Sequence, residues 1–530
     1  MSIPRSPSSI RLAIAIAAAV AWAVSQAGVG GGVVNLRGWS SFARFWQAIF
    51  SPELAWDFLQ LTGESAAITL AYAVLGTALS LLIGSLAAPL LSELLWSAGP
   101  IRSITRAFLV VPRAVHEILW ALLLIQVLGF DPLVSVLAIG IPFGAVTAKV
   151  FAETIDEADS GPYRQLRATG AGRLSALVYG VLPSIRGQLI SYSFYRLECG
   201  VRSAAVLGVI GAGGLGFQLD LSFESLRYGE IWTLIVALML LSGAIEAWSS
   251  HVRTRLRSRL GVGRGTLLGL ALLVPLSWRW VGLDPTQLVS DRTRRLAGDL
   301  LGDLFPTRLG PGGWSELFDA SVDTVAMSIL ALLIAVLSGL VLAGFAARPS
   351  RPTATPGLGQ RLLRVVAGTL LLLFRAVPSP IWAFLMVLVL FPGTWPGAVA
   401  LGIYTLGVLG RLFAEVFEDR DLSSAKAADL VGANAVQAFF YAVLPGSANR
   451  LISLSLYRWE VIARETVVVG VVGAGGLGQL INEHLAARDF AAVTGAIGAL
   501  LIISFLIDSI SGVLRRGLRD HSAPAVTRQA

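Results

Sequence analysis

Long apolar runs alternate with shorter polar stretches along the whole chain, and each run is long enough to cross a bilayer as a helix. Twelve spans are predicted: 12–29, 65–91, 107–128, 132–152, 187–212, 229–249, 265–282, 321–346, 365–391, 397–418, 451–472 and 490–511. The pattern therefore predicts an all-α polytopic membrane protein. The first span follows Arg5 and Arg11 like a signal peptide, but no small-residue cleavage site follows it, and it is read as a retained helix.

The polar stretches differ in charge. With the N-terminus in the cytoplasm, the inside segments carry 25 Lys and Arg and the outside segments 8. Cationic residues accumulate on the cytoplasmic side of membrane proteins, so both termini are expected there. Outside, Trp39 to Leu61 places Trp and Phe at helix-like spacing among polar residues. Two readings fit: an amphipathic helix on the outer membrane surface, or ordinary packing against neighbouring spans.

The two halves repeat each other at a constant offset of 262. Arg113-Ala-Val-His-Glu117-Ile-Leu-Trp-Ala matches Arg375-Ala-Val-Pro-Ser379-Pro-Ile-Trp-Ala. Tyr195-Arg-x-Glu198 matches Tyr457-Arg-x-Glu460, and Gly211-Ala-Gly-Gly-Leu-Gly216 matches Gly473-Ala-Gly-Gly-Leu-Gly478. A constant offset over so long a stretch indicates tandem duplication. Six spans per half give both copies one topology. The expected organisation is a first repeat over 1–249, a basic cytoplasmic linker over 250–264 and a second repeat over 265–530, with the two parallel units forming a pseudo-dimer around a central pathway.

Composition narrows the function. The chain is 55% hydrophobic and 14% charged, too few charges to cover a water-facing surface. Its single cysteine, Cys199, excludes an intrachain disulfide framework and a Cys-cluster zinc site, and its four scattered histidines point to no metal centre. The net charge of +8 lies on arginines between spans and not on one basic domain, which argues against nucleic acid. No Gly-x-x-x-x-Gly-Lys-Ser/Thr loop is present, so the chain carries no ATPase motor of its own.

Three groups of residues are candidates for function. The first is the cytoplasmic loop before the fifth span of each half. Arg164, Gln165 and Leu166 precede Gly170 and then Pro183; Lys426, Ala427 and Ala428 precede Gly432 and then Pro445. Residues 162–169 and 424–431 suit short helices stopped by glycine, with proline at the start of the next span. The second is the glycine-rich pair: Gly211, Gly213, Gly214 and Gly216, with Gly473, Gly475, Gly476 and Gly478. Each sits at the outer end of a span with no preceding strand, so a close-packed turn is expected and a dinucleotide fold is not. Backbone N–H groups gathered there could also contact an anion entering from outside.

The third group is the charges and partners inside spans: Arg113, Glu117, Tyr195, Glu198, Arg202, Arg375, Ser379, Tyr457, Glu460 and Arg464. Charge in the bilayer must face protein or water. Glu198–Arg202 and Glu460–Arg464 have the favourable four-residue helical spacing. They are either internal ion pairs that fix helices, or part of a path for an oxyanion, which a guanidinium fork can grip with two hydrogen bonds.

The paired Gly and Leu-Pro loops resemble the signature of ATP-binding-cassette importer permeases: Glu-Ala-Ala, three residues, Gly, nine residues, Ile, one residue, Leu-Pro. This chain departs at the first position, with Arg164 and Lys426, and at Gln165-Leu166. The Arg-Ala-Val…Trp-Ala and Tyr-Arg-x-Glu…Gly-Ala-Gly-Gly-Leu-Gly strings resemble the phosphonate-type permeases more narrowly. The resemblance implies a type I importer fold with two permease units fused in one chain, in a bacterial cytoplasmic membrane. It also implies a coupling helix at each loop, two copies of a cytoplasmic ATPase and an extracytoplasmic solute-binding protein. ATP and Mg would be bound by the ATPase, with no cofactor on this chain and no enzymatic step in it. Two alternatives remain open at this point: an importer for ferric iron, thiamine or methionine, and an ion-gradient-driven secondary transporter.

Overall fold

A computed structural model describes residues 7–28, 34–96, 99–257, 264–304, 307–347, 357–419, 427, 430 and 432–520. Among them the structure is helical, with one isolated β-bridge between Val34 and Leu390. In chain order the helices are α1 (Pro7–Gln26), α2 (Trp39–Gln47), α3 (Trp56–Leu91), α4 (Pro100–Ala114), α5 (Glu117–Leu128), α6 (Pro132–Asp156), α7 (Gly161–Ala168), α8 (Arg173–Ala176), α9 (Leu182–Leu207), α10 (Gly214–Glu224) and α11 (Tyr228–Arg257). There follow α12 (Arg264–Val281), α13 (Asp291–Leu304), α14 (Gly313–Ala346), α15 (Leu358–Ala376), α16 (Ser379–Val389), α17 (Thr394–Glu418), α18 (Ala435–Ala438), α19 (Leu444–Val471), α20 (Gly476–Ala486) and α21 (Phe490–Asp520).

Among the described residues six helices are long and apolar enough to span a membrane unbroken: α3, α6, α11, α14, α17 and α21. Four bent helix pairs are together apolar enough to make up to four more, and shorter apolar stretches lie within α1 and α12. The chain is an all-α, polytopic membrane protein, and these elements accommodate the twelve predicted spans. Two spans expected to be continuous are not. Residues 107–128 and 365–391 fall on elbows, α4 to α5 and α15 to α16, bent by 90° and 95°. At each elbow two residues are extended, Val115-His116 and Val377-Pro378. Trp39 to Leu61 is not one helix either. α2 and a short 3-10 turn end at Phe50, Ser51 to Ala55 is non-helical, and α3 starts at Trp56. Phe45 is fully buried against Trp232, whose indole N–H donates to the Phe45 carbonyl at 2.6 Å, so the packing reading accounts for this part of α2.

The chain forms two compact units: Met1–Ala43 with Leu304–Ala530, and Arg44–Asp303. They do not coincide with the sequence repeats, because the first helix of each repeat packs on the other repeat. α1 lies against α14, and α12 lies against α3. In the unit 44–303 the closest packing joins α3 to α6. There a Cβ on Gly76 would stand 2.7 Å from Ile139, and the Ser80 and Thr147 hydroxyls share a hydrogen bond of 3.1 Å. Small residues and interhelical hydroxyl bonds replace the hydrophobic drive that lipid cannot supply. α14 and α17 are the most closely packed helices of the other unit, where a Cβ on Gly402 would stand 2.8 Å from Ile334.

Candidate functional site

The cytoplasmic loop of the first repeat is built as a capped helix. α7 carries Arg164, Gln165 and Leu166, and its backbone closes with Ala171 N–H on the Leu166 carbonyl at 3.1 Å and Gly170 at φ +91°. That six-to-one bond with a left-handed residue beside it is the usual glycine stop of a helix. Tyr163 is buried with Phe151, Ile155, Leu177, Val181 and Ile185, which seats α7 on the helix that follows. One π turn, 177–181, joins α8 to α9, with Pro183 in the first turn of α9. In the second repeat the same π turn falls at 439–443 and Pro445 opens α19. Gly432 has φ +82°, and a Cβ on Gly170 or Gly432 would meet open space. Lys426, Ala428 and most of the expected helix 424–431 lie outside the described residues.

The glycine-rich segments are turns that join α9 to α10 and α19 to α20, with bends of 53° and 44°. Gly211, Gly213 and Gly214 all have positive φ, as do Gly473, Gly475 and Gly476. The last glycine of each run serves close approach instead. A side chain at Gly216 would run into the Ala205 carbonyl, and one at Gly478 would stand 2.6 Å from the Val467 carbonyl. A threonine on the long neighbouring helix holds each turn. Thr69 Oγ1 accepts from Leu215 N–H at 2.8 Å, and Thr324 Oγ1 accepts from Leu477 N–H at 2.9 Å. Each of those two N–H groups, Leu215 and Leu477, is thereby satisfied within the protein.

The charged residues meet at the elbows and on the fifth span. In the unit 44–303, Arg113 ends α4, and Glu117 opens α5 with its carboxylate accepting from the Ser203 hydroxyl of α9 at 2.7 Å. His116 caps α5 by accepting from Ile118 N–H at 3.3 Å, and its ring lies 3.3 Å from Glu117. Glu198 and Arg202 pair at 3.6 Å, as their spacing predicted. Tyr195 is exposed, as is Tyr457 in the other unit.

In the other unit, Met1–Ala43 with Leu304–Ala530, the pairing differs from expectation. Glu460 does not pair with Arg464 through its carboxylate. It accepts from the Ser511 hydroxyl and pairs with Arg515 at 2.6 Å, both on α21, while Arg464 Nε donates to the Glu460 backbone carbonyl at 3.3 Å. The facing helix outcompetes the neighbouring turn for the carboxylate. Arg375 ends α15, and the buried Ser379 opens α16 with no side-chain cap. A further ion pair was not read from the sequence: Arg458 Nη2 donates to both oxygens of Glu465 at 2.9 Å, and both residues are buried. Its signal was the seven-residue spacing, two helical turns, which sets both side chains on one face of α19.

The counterpart of Arg458, Arg196, is compensated differently. Its Nε donates to the Tyr192 hydroxyl at 2.8 Å, and its guanidinium lies over Phe143 at 4.7 Å and Tyr192 at 5.2 Å. An arginine at a helix centre costs roughly 2.5–3.5 kcal/mol on insertion scales. A desolvated cation–π contact returns about 2 kcal/mol. The rings offset much of the cost without cancelling the charge.

Comparison with known proteins agrees with this architecture. Residues 80–258 and 353–520, one stretch in each repeat, match the family described as "Binding-protein-dependent transport system inner membrane component". The phosphate-import permease protein PhnE of Mycolicibacterium smegmatis is 30% identical over 466 residues, which is 86% of this chain and 85% of that protein. The phosphite transport system permease protein PtxC of Stutzerimonas stutzeri is 32% identical over 277 residues, 51% of this chain and 97% of its own length. The putative cryptic phosphonate transport system permease protein PhnE2 of Escherichia coli is 37% identical over 117 residues, 22% of this chain and 96% of its own length. A relative matched over nearly its whole length by half of this chain accords with the duplication.

Proposed function

The chain belongs to the family of binding-protein-dependent transport system inner membrane components, and we propose that it is the fused double permease of an ATP-driven importer for a phosphorus oxyanion: phosphonate, phosphite or phosphate. The carrying observation is that the loop elements recur at one offset in both repeats. Each copy has a glycine in the left-handed region, a π turn and a proline opening the fifth span. The names of PhnE, PtxC and PhnE2 support the cargo.

On this reading a solute-binding protein delivers cargo at the outer face, and both termini lie in the cytoplasm. Two copies of a cytoplasmic ATPase bind ATP and Mg and press on the loops near Gly170 and Gly432. Arg113, Glu117, Tyr195, Glu198, Arg202, Arg375, Ser379, Tyr457, Glu460 and Arg464 are the candidate residues along the cargo path. The permease makes and breaks no covalent bond in its cargo; it alternates access to it.

The test is uptake and ATP hydrolysis by proteoliposomes holding the chain with its ATPase and binding protein, offered phosphonate, phosphite, phosphate, methionine, thiamine and ferric ion. Stimulation by one phosphorus oxyanion is expected. Stimulation by another cargo keeps the importer and discards the oxyanion. Gly170→Asp with Gly432→Asp is expected to leave ATP hydrolysis uncoupled from uptake or to release the ATPase. Unchanged uptake by that double variant would remove the coupling role of the loops.

A further inference from the structure

Arg196 and Arg458 occupy the same position of the repeat, and each is 9% exposed. Only one is neutralised. Glu465 takes Arg458 on both carboxylate oxygens. The residue at the Glu465 position in the first repeat is Ser203, whose hydroxyl is engaged with Glu117. The partner of Arg196 is instead the uncharged phenol of Tyr192, whose counterpart in the second repeat is Leu454. Among the described residues no Asp or Glu pairs with Arg196, although shorter-range pairs hold Arg202 and Arg458 on the same two helices. The rings of Phe143 and Tyr192 stack near the guanidinium, and Tyr192 uses its Nε. A guanidinium has five N–H donors, and the four on its terminal nitrogens form the edge that grips oxyanions in pairs.

A buried cation without a counter-charge, held by rings and a single phenol, is a receptor for an anion that comes and goes. We infer that Arg196 is the transient oxyanion contact of the first repeat, and that Glu465 removes Arg458 from that role in the second. Of the two copies of this arginine, one would be available to the cargo and the other would not. A single contact suits an importer, since a permease that bound tightly would trap what its binding protein delivers. The inference rests on the oxyanion reading above and adds to it the residue that carries the contact.

Proteoliposomes with ATPase and binding protein, assayed with radiolabelled inorganic phosphate and with methylphosphonate, provide the test. Arg196→Gln is expected to lower uptake at least tenfold while size-exclusion chromatography shows an assembled complex. Arg196→Lys keeps the charge and loses the fork, and is expected to raise the half-saturating anion concentration several-fold. Arg458→Met with Glu465→Met, which removes a neutral pair, is expected to keep uptake within twofold of wild type. Wild-type uptake by Arg196→Gln, or an unchanged half-saturation in an assembled Arg196→Lys complex, would overturn the assignment. So would an equal loss in the Arg458/Glu465 double variant when that variant assembles. If Arg196→Gln fails to assemble, the Lys variant decides. Wild-type vesicles that move neither anion count against the cargo reading; wild-type vesicles that move one while Arg196→Gln moves it equally count against Arg196 alone.

Discussion

The fifth spans of the two repeats, α9 and α19, descend from one sequence and have settled their internal charge in opposite ways. On α9 the carboxylate sits across the elbow at Glu117 and the fifth span offers Ser203; on α19 the carboxylate is Glu465 and the elbow offers Ser379. Glu and Ser have changed places between corresponding positions. The consequence is that Glu465 lies on the same helix as Arg458 and closes on it, whereas Glu117 is held by Ser203 and Arg196 is left to aromatic rings. Two copies of a helix can keep the same burial and the same arginine and still differ in whether that charge is available.

The sharpest way to break this comparison is to remove each arginine. Arg458→Leu strands the buried Glu465 carboxylate, and losing one partner of a buried pair costs about 3–5 kcal/mol. Arg196→Leu strands no carboxylate, and its loss is limited to one hydrogen bond and the ring contacts, about 1–2 kcal/mol. Thermal unfolding of the detergent-purified chain should therefore show Arg458→Leu as much the less stable variant. Arg458→Leu combined with Glu465→Leu should recover most of that loss. Equal losses for the two single variants would mean that the pair does not distinguish the repeats.

The serines come next. Ser203→Ala takes the donor from the Glu117 carboxylate, and hydrogen bonds to charged groups are worth about 1.5–3 kcal/mol. Ser379→Ala removes no side-chain hydrogen bond found among the described residues, and stability within about 0.5 kcal/mol of wild type is expected. The same unfolding measurement checks both. A Ser379→Ala loss as large as that of Ser203→Ala would show that the elbow serine is engaged after all, and the exchange of Glu and Ser would lose its meaning.

Much of this was legible in the sequence and some was not, for physical reasons. Hydropathy marks which segments enter the bilayer, so the spans were readable, and positive φ at Gly170 follows from a glycine that ends a polar helix. Averaging over a window hides an elbow, because α4 and α5 are joined by apolar Val115 and a bend leaves hydropathy unchanged. Pro378 was a visible sign of the second elbow, while the first has only His116 at that point. Nor does periodicity say which neighbour a span takes, so the exchange of α1 and α12 between repeats was invisible. Glu465 escaped notice because it lies beyond the Tyr-Arg-x-Glu string, and Arg515 lies on a helix that no local spacing connects to Glu460.

The glycine-rich turns supply the control that the comparison needs, because there the two repeats agree. Thr69 and Thr324 each stand on the long neighbouring helix and each accept one turn N–H, at 2.8 and 2.9 Å. Each hydroxyl also donates to the carbonyl one turn back, Ser65 or Ala320. Thr→Val keeps the shape and leaves one buried N–H without an acceptor, which costs about 1–3 kcal/mol. Thr69→Val and Thr324→Val should therefore lower the unfolding midpoint by equal amounts, while the arginine and serine pairs give unequal ones. An inequality between the threonines as large as that between the arginines would show that one repeat is simply the more fragile, and the difference at Arg196 and Arg458 could then no longer be ascribed to their partners.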